Sequence, residues 1–252
     1  MLLGRTANGL YWMFRYIERA ENMARLVDAD RSAWTQPLHY LSQTRPVGDW
    51  AFDMMTISCN TATSALVAHL HAVGALAADH NELHDLFESL GLYGLRLANT
   101  AADGGWGNAA GAGVGQLQMT AWDSLRLLWL IDDQAPPALW LPADRPPLLG
   151  ASHAHVMHCL REQRLHEILS SSAITDMPGW VSGIPCGPDG DVSFAHKTGN
   201  TDNYSANAGI VHGIAPAQRH YLIAMTSNLG RRYAPPGELR APWGLPALGA
   251  AV

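Results

Sequence analysis

The run His196-Lys197-Thr198-Gly199-Asn200 holds the only lysine of the chain; the other fifteen of its sixteen Lys and Arg residues are arginine. It lies where an extended apolar pattern over 191–196 meets a Gly/Asn-rich turn over 199–203. A lysine is a compact, strongly hydrated point charge, unlike the planar guanidinium. Three consecutive residues therefore offer an ammonium, a hydroxyl and a backbone without a Cβ. A second group with chemical content is Ser58-Cys59-Asn60, a hydroxyl, a thiol and a carboxamide between two helical patterns. Taken alone it reads as a helix break, with Asn60 or Thr61 as the N-cap of the helix that follows. Cys59 as a nucleophile would need an adjacent base, and none is visible; a buried, inert thiol is expected.

The twelve histidines raise the question of a metal. His80 and His84 are four apart on an expected helix, and His153, His155 and His158 cluster ahead of His166. Zinc sites require three or four ligands in a shaped arrangement. No His-Glu-x-x-His is present, because Glu82 falls one position too late between His80 and His84. These histidines are expected to face solvent from helices, with no metal and no cofactor.

The elements that must position these groups follow from periodicity. Residues 8–28 form an amphipathic helical pattern, with Leu10, Met13, Phe14, Ile17, Ala20, Ala24 and Val27 on one face. Residues 31–50, with Pro37, Pro46 and Gly48, read as a linker. Helices are expected at 50–57, 61–72 (ended by Gly74), 80–90 (ended by Gly91), 121–132 and 152–169, with Thr120 and Ser152 as caps. A Gly/Ala/Asn-rich loop spans 99–115, and five prolines mark 134–150 as irregular. Strands at 191–196, 206–212 and 220–226, joined by short turns, form an antiparallel meander. The proline-bearing tail from 234 is expected to be largely unstructured. The class is α+β: a helical part beside a small antiparallel sheet.

With 252 residues, 48% hydrophobic and 15% charged, the chain has the composition of a folded domain with a sizeable core. A net charge of −6 gives no electrostatic reason to expect nucleic acid or an anionic membrane. No apolar run reaches the roughly 18–20 residues of a membrane span, and no signal peptide is visible, so a cytoplasmic location is expected. Cys59, Cys159 and Cys186 show no CxxC spacing and suggest no disulfide framework.

Two resemblances add to this reading. The opening RTANGLYWMFRYIERAENMARLVDA resembles the first helix of the alpha-E family of small all-helical bacterial proteins, over about residues 1–30. Residues 37–230 resemble, in order, the class A beta-lactamase-like and penicillin-recognising serine hydrolases. MMTISCNTATSALVAHL matches that family's helix–Ser-Asp-Asn–helix segment, and VSFAHKTGNTDNYSANAGIVHG its strand–Lys-Thr-Gly–strand unit. HNELHDLFESLGLYGLRL, MTAWDSLRLLWLID and RHYLIAMTSN resemble intervening and final elements. The implied organisation is an alpha-E-like helix over 1–30, an incomplete beta-lactamase-like domain over 31–233 and a tail over 234–252.

The second resemblance implies a site. Lys197 would hold a substrate carboxylate and polarise Ser58, which would relay a proton to the leaving nitrogen. Thr198 would donate to the same carboxylate, Gly199 would admit the substrate to the backbone, and the Asn200 N–H would be an oxyanion donor. Asn60 would contact a lysine and the substrate side chain. The implied ligand is a beta-lactam or a peptidoglycan-peptide-like D-Ala-D-Ala amide. The departures are as informative. With one lysine the chain contains no Ser-x-x-Lys, the family's nucleophile motif. The 99–115 loop has Asp103 as its only acid, where class A beta-lactamases carry a glutamate. Cys59 stands where the family has the aspartate that braces the loop. The implied enzyme is therefore inactive or impaired, and the other readings are a non-catalytic ligand-binding pseudoenzyme and a helical interaction protein. A sheet with fewer strands than the family's would leave an edge open to homodimer pairing. Relatives usually act in the periplasm or outside the cell.

Overall fold

In the computed structural model, the described residues are 32–74, 76–77, 80–97, 117–141, 150–165, 192–200, 205–213 and 218–227, with isolated positions at 168, 169, 184, 248, 249 and 251. The expected helix at 8–28, the loop 99–115 and most of the tail lie outside them.

The chain enters through a short helix α1 (Ser32–Thr35) and a hairpin of β1 (Pro37–Tyr40) and β2 (Gln43–Pro46). The hairpin replaces the expected linker. Its two prolines face each other at the open end of the ladder, a position that asks least of a residue without an N–H. Leu41 turns the chain at φ 54°. Helices α2 (Val47–Thr56) and α3 (Asn60–Ala72) follow, longer at the start of α2 than its periodicity indicated. Trp50 of α2 donates its indole N–H to the Leu38 carbonyl at 3.1 Å, and Arg45 reaches Asp53 at 2.7 Å, so the hairpin is tied to the helix it precedes.

The pair β3 (Leu76–Ala77) and β4 (His80–Asn81) leads into α4 (Glu82–Ser89), capped by the Asn81 side chain. His80 therefore lies on a strand, and the expected helical pair with His84 does not form. The pair β5 (Arg96–Leu97) and β6 (Leu117–Gln118) precedes α5 (Ala121–Ile131). Thr120 caps α5 as expected, accepting from the Asp123 N–H at 3.0 Å. Helix α6 runs Gly150–Arg161, so Ser152 sits inside it rather than capping it, and it stops well short of 169.

The three long strands form one antiparallel sheet in the order β7 (Val192–Asn200), β8 (Ser205–Gly213), β9 (His220–Ser227). The expected meander is present, with β7 longer than anticipated. Gly199 and Asn200 pair with Ala206 and Ser205, so the Lys-Thr-Gly run is strand, not turn. Among the described residues no fourth strand joins this sheet.

One face of the sheet, through Ala195, Ala208 and Ile210, packs into the main core with Trp50, Met54, Met55, Leu66, Phe87, Leu127 and Leu160. The other face, through Phe194 and Val211, joins a smaller cluster with Ile168, Leu169 and Ile184. Phe194 and His196 stack there with ring centres 4.2 Å apart and planes within 2°. Gly209, opposite His196, makes room for them: a methyl there would lie 2.5 Å from the Ala195 carbonyl oxygen and from the His196 Cβ. No helix among the described residues is long and apolar enough to cross a membrane.

Candidate functional site

Between α2 and α3 the chain makes a three-residue break at Ile57, Ser58 and Cys59. The Asp53 carbonyl accepts from both the Ile57 and the Cys59 N–H, each at 3.2 Å, which pulls the break tight. Ser58 takes φ 53°, a left-handed conformation that costs a residue with a Cβ and persists only when its surroundings enforce it. The N-cap of α3 is Cys59, not Asn60 or Thr61: its Sγ accepts from the Ala62 N–H at 3.5 Å and its carbonyl from Thr63. Asn60 is the first residue of α3 and is exposed.

The Ser58 turn meets β7. The Lys197 ammonium donates to Ser58 Oγ, a contact between residues 139 apart in sequence, and to the Thr198 carbonyl at 2.7 Å. Lys197 is wholly buried, 0% exposed, whereas Ser58 is half-buried. The lysine is thus sealed behind the serine. A buried ammonium must be paired or well hydrogen-bonded to be tolerated, and its stem lies on the core side of the sheet with Ala195 and Ala208.

Side chains alternate along a strand, so Thr198 falls on the opposite face, with Phe194 and His196. It is 2% exposed. The regular ladder through Asn200 thus puts Thr198 on the other face of β7 from Lys197, where the resemblance implied one shared carboxylate. Gly199 is buried, and Asn200 closes the β7–β8 ladder opposite Ser205. Of the six expected site residues, the fold joins Ser58 to Lys197, puts Asn60 at the adjoining helix start, and lays Thr198, Gly199 and Asn200 along the strand end.

Gln163 is a residue that sequence reasoning missed. Its side-chain amide donates to the Met55 carbonyl at 3.0 Å and to the His196 carbonyl at 3.3 Å. Its Oε1 accepts from the Arg164 and Leu165 N–H groups at 3.1 and 3.0 Å. One buried carboxamide, with its hydrogen-bonding capacity filled, clamps the end of α2 to β7 just before Lys197. The available signal was weak: a glutamine inside the helix expected over 152–169, two residues past the point where that helix ends.

His153, His155 and His158 pack against or bond neighbouring elements. His155 lies against Trp34 with ring centres 4.2 Å apart; burial, and then the neighbouring His158, push its pKa below the ordinary 6.5. His158 stacks on Phe52, and His153 bonds the Ile131 carbonyl. His166 lies outside the described residues. Among the described residues no group of three or more His, Cys, Asp or Glu side chains is arranged to hold a metal ion. Cys59 and Cys159 are free thiols; burial pushes Cys159 up to about 12.

A family model described as alpha-E, a predicted alpha-helical domain with a conserved ER motif, matches residues 2–93. The match extends well past the first 30 residues and includes the β1–β2 hairpin as well as α1–α4. No curated protein sequence matches the chain. Among solved structures, PBP-A captured as an acyl-enzyme with penicillin G is similar at 19% identity and TM-score 0.56, covering 86% of this chain and 71% of that one. A beta-lactamase from Sphaerobacter thermophilus is similar at 18% identity and TM-score 0.56, covering 85% and 74%. One from Streptosporangium roseum is similar at 14% identity and TM-score 0.55, covering 86% and 74%. The chain has a beta-lactamase-like and penicillin-binding-protein-like fold.

Proposed function

We propose that this chain is a class A beta-lactamase-like serine hydrolase by descent that binds beta-lactams or D-Ala-D-Ala-like peptides and turns them over poorly or not at all. The observation that carries the reading is the Lys197–Ser58 hydrogen bond, formed between an Ser-x-Asn turn and a Lys-Thr-Gly strand in this fold. Ser58 is the half-buried hydroxyl a ligand carboxylate meets, and Lys197 supplies the charge behind it. The N-terminus of the 13-residue α3 adds its partial positive charge at the same place. Asn60 contacts the ligand side chain. Gly199 and the Asn200 N–H offer the strand end to the ligand backbone.

Acylation needs a nucleophile and a base, and the sequence has no Ser-x-x-Lys to supply them. Losing such members of a catalytic unit costs orders of magnitude in rate. Penicillin G, the acylating compound in the PBP-A structure, is the probe. Equilibrium binding should be saturable, without covalent mass gain, and weakened at least about tenfold by Lys197→Ala, as expected for a lost charge-assisted bond. Hydrolysis of a chromogenic cephalosporin well above the Lys197→Ala control would sink the claim of negligible turnover. Absence of any binding would sink the ligand assignment.

The alpha-E match over 2–93 favours a second reading, an interaction protein that docks through its N-terminal segment. Deleting residues 1–30 separates the two: partner loss with penicillin binding intact supports docking.

A further inference from the structure

At the end of the sheet away from the Ser58 turn, two histidines face each other across β8 and β9. His212 and His220 are direct partners in the ladder, and their Nδ1 atoms stand 3.2 Å apart. The ring centres are 5.5 Å apart with planes tilted by 69°, an edge-on arrangement in which the two Nδ1 atoms make the close approach. The other nitrogen of His220, Nε2, is 2.5 Å from Asp132 Oδ2, and that carboxylate is only 3% exposed. Asp132 caps the C-terminus of α5 and accepts from the Gln134 N–H as well, so it is held in place from its own helix. The Gln134 carboxamide lies 3.5 Å from His212 Nδ1.

Two imidazole lone pairs cannot face each other at this distance without a positive centre between them. A proton is one such centre and a metal ion is the other. Zinc–imidazole bonds are about 2.0–2.1 Å, so two nitrogens on a tetrahedral ion stand about 3.3–3.4 Å apart. The observed 3.2 Å is close to that span. The Asp132 contact keeps a proton on His220 Nε2, the tautomer that leaves Nδ1 free to ligate; a carboxylate behind a ligating histidine is the usual way such a ring is oriented and made more basic. The pair opens on a cleft of about 210 Å³ that Asp133, Arg161 and Ser193 also line. There is room for solvent to complete a coordination shell that the two rings only begin.

We propose that His212 and His220 form a two-imidazole site for a divalent transition metal of the zinc, nickel or copper class, with Asp132 as its positioning residue and solvent in the remaining positions. The site is independent of Lys197 and Ser58, which lie elsewhere on the sheet, and does not rest on the reading of those residues.

Calorimetric titration of the full chain with Zn²⁺, repeated with Ni²⁺, tests the proposal. One equivalent should bind, with affinity lowered at least tenfold in His212→Gln and in His220→Gln, and lowered about 10–100-fold in Asp132→Asn, which retains both ligands. Lys197→Ala should bind the metal as the unaltered protein does. No uptake by the unaltered protein would overturn the site. So would unchanged uptake in His212→Gln, since the ion would then be held adventitiously by other histidines. His212 is exposed, so that variant decides the matter even if replacing His220 impairs folding. Unchanged affinity in Asp132→Asn would overturn the positioning role.

Discussion

Replacing Gln163 by alanine removes four hydrogen bonds at once. The four groups left behind are not equivalent. The Arg164 N–H keeps the Thr56 carbonyl at 3.0 Å, and the Leu165 N–H belongs to a half-buried residue where water can replace the lost acceptor. The carbonyls of Met55 and His196 belong to residues that are 0% exposed, so water does not readily replace the amide that each loses. Each of these two bonds contributes about 0.5–1.5 kcal/mol, which puts the substitution near ~2 kcal/mol. For a chain of this size each kcal/mol lowers Tm by roughly 2–4 °C, so thermal unfolding followed by circular dichroism should shift down by about 4–8 °C. Gln163→Met fills the same volume without the amide and should lose nearly as much; recovery of the original Tm in that variant would show that Gln163 acts by packing. Because Met55 and His196 lie three residues before Ser58 and one before Lys197, penicillin binding should fall as well. A Tm within about 3 °C of the unaltered protein would refute the clamp.

Other expectations follow from burial and close approach. Gly209→Ala places a methyl 2.5 Å from backbone and His196 Cβ atoms, and overpacking of this kind costs about 1–3 kcal/mol; an unchanged urea midpoint would contradict it. His155 is held below 6.5 by burial, so the unfolded chain takes up a proton below about 6.5 before the folded one does. Stability should therefore fall as pH drops from 7.5 to 5.5, and His155→Phe should flatten that slope in paired thermal melts. Cys159, with its thiol pushed up to about 12, is ionised in only about one molecule in 10⁴ at pH 8. Native alkylation with iodoacetamide, mapped by mass spectrometry, should label half-buried Cys59 first, and equal rates at the two would refute the difference.

Helices α2 to α5 and strands β7 to β9 were legible because each has enough residues for periodicity to show. The β1–β2 hairpin was not, since two four-residue strands bounded by prolines carry the signature of a linker; cross-strand pairing and the Trp50 and Arg45 contacts outweigh that local signal. Gly199 and Asn200 look like turn residues in isolation, yet pairing with β8 extends the strand through them. The Ser58–Lys197 meeting was legible only through resemblance, because no local pattern reports a contact across 139 residues. Cys59 as a cap defied propensity, which favours oxygen acceptors, and Gln163 has no periodic signature at all.

That same long separation gives the site a history during synthesis. At about 5–20 residues per second, the 139 residues from Ser58 to Lys197 occupy the ribosome for roughly 7–28 s. Helices α2 and α3 can collapse on each other early, since they are adjacent, whereas the left-handed turn between them has no lysine to hold it until β7 emerges. The strained conformation of Ser58 is therefore a late acquisition. Any premature stop before β7 yields a helical fragment whose serine never meets its lysine.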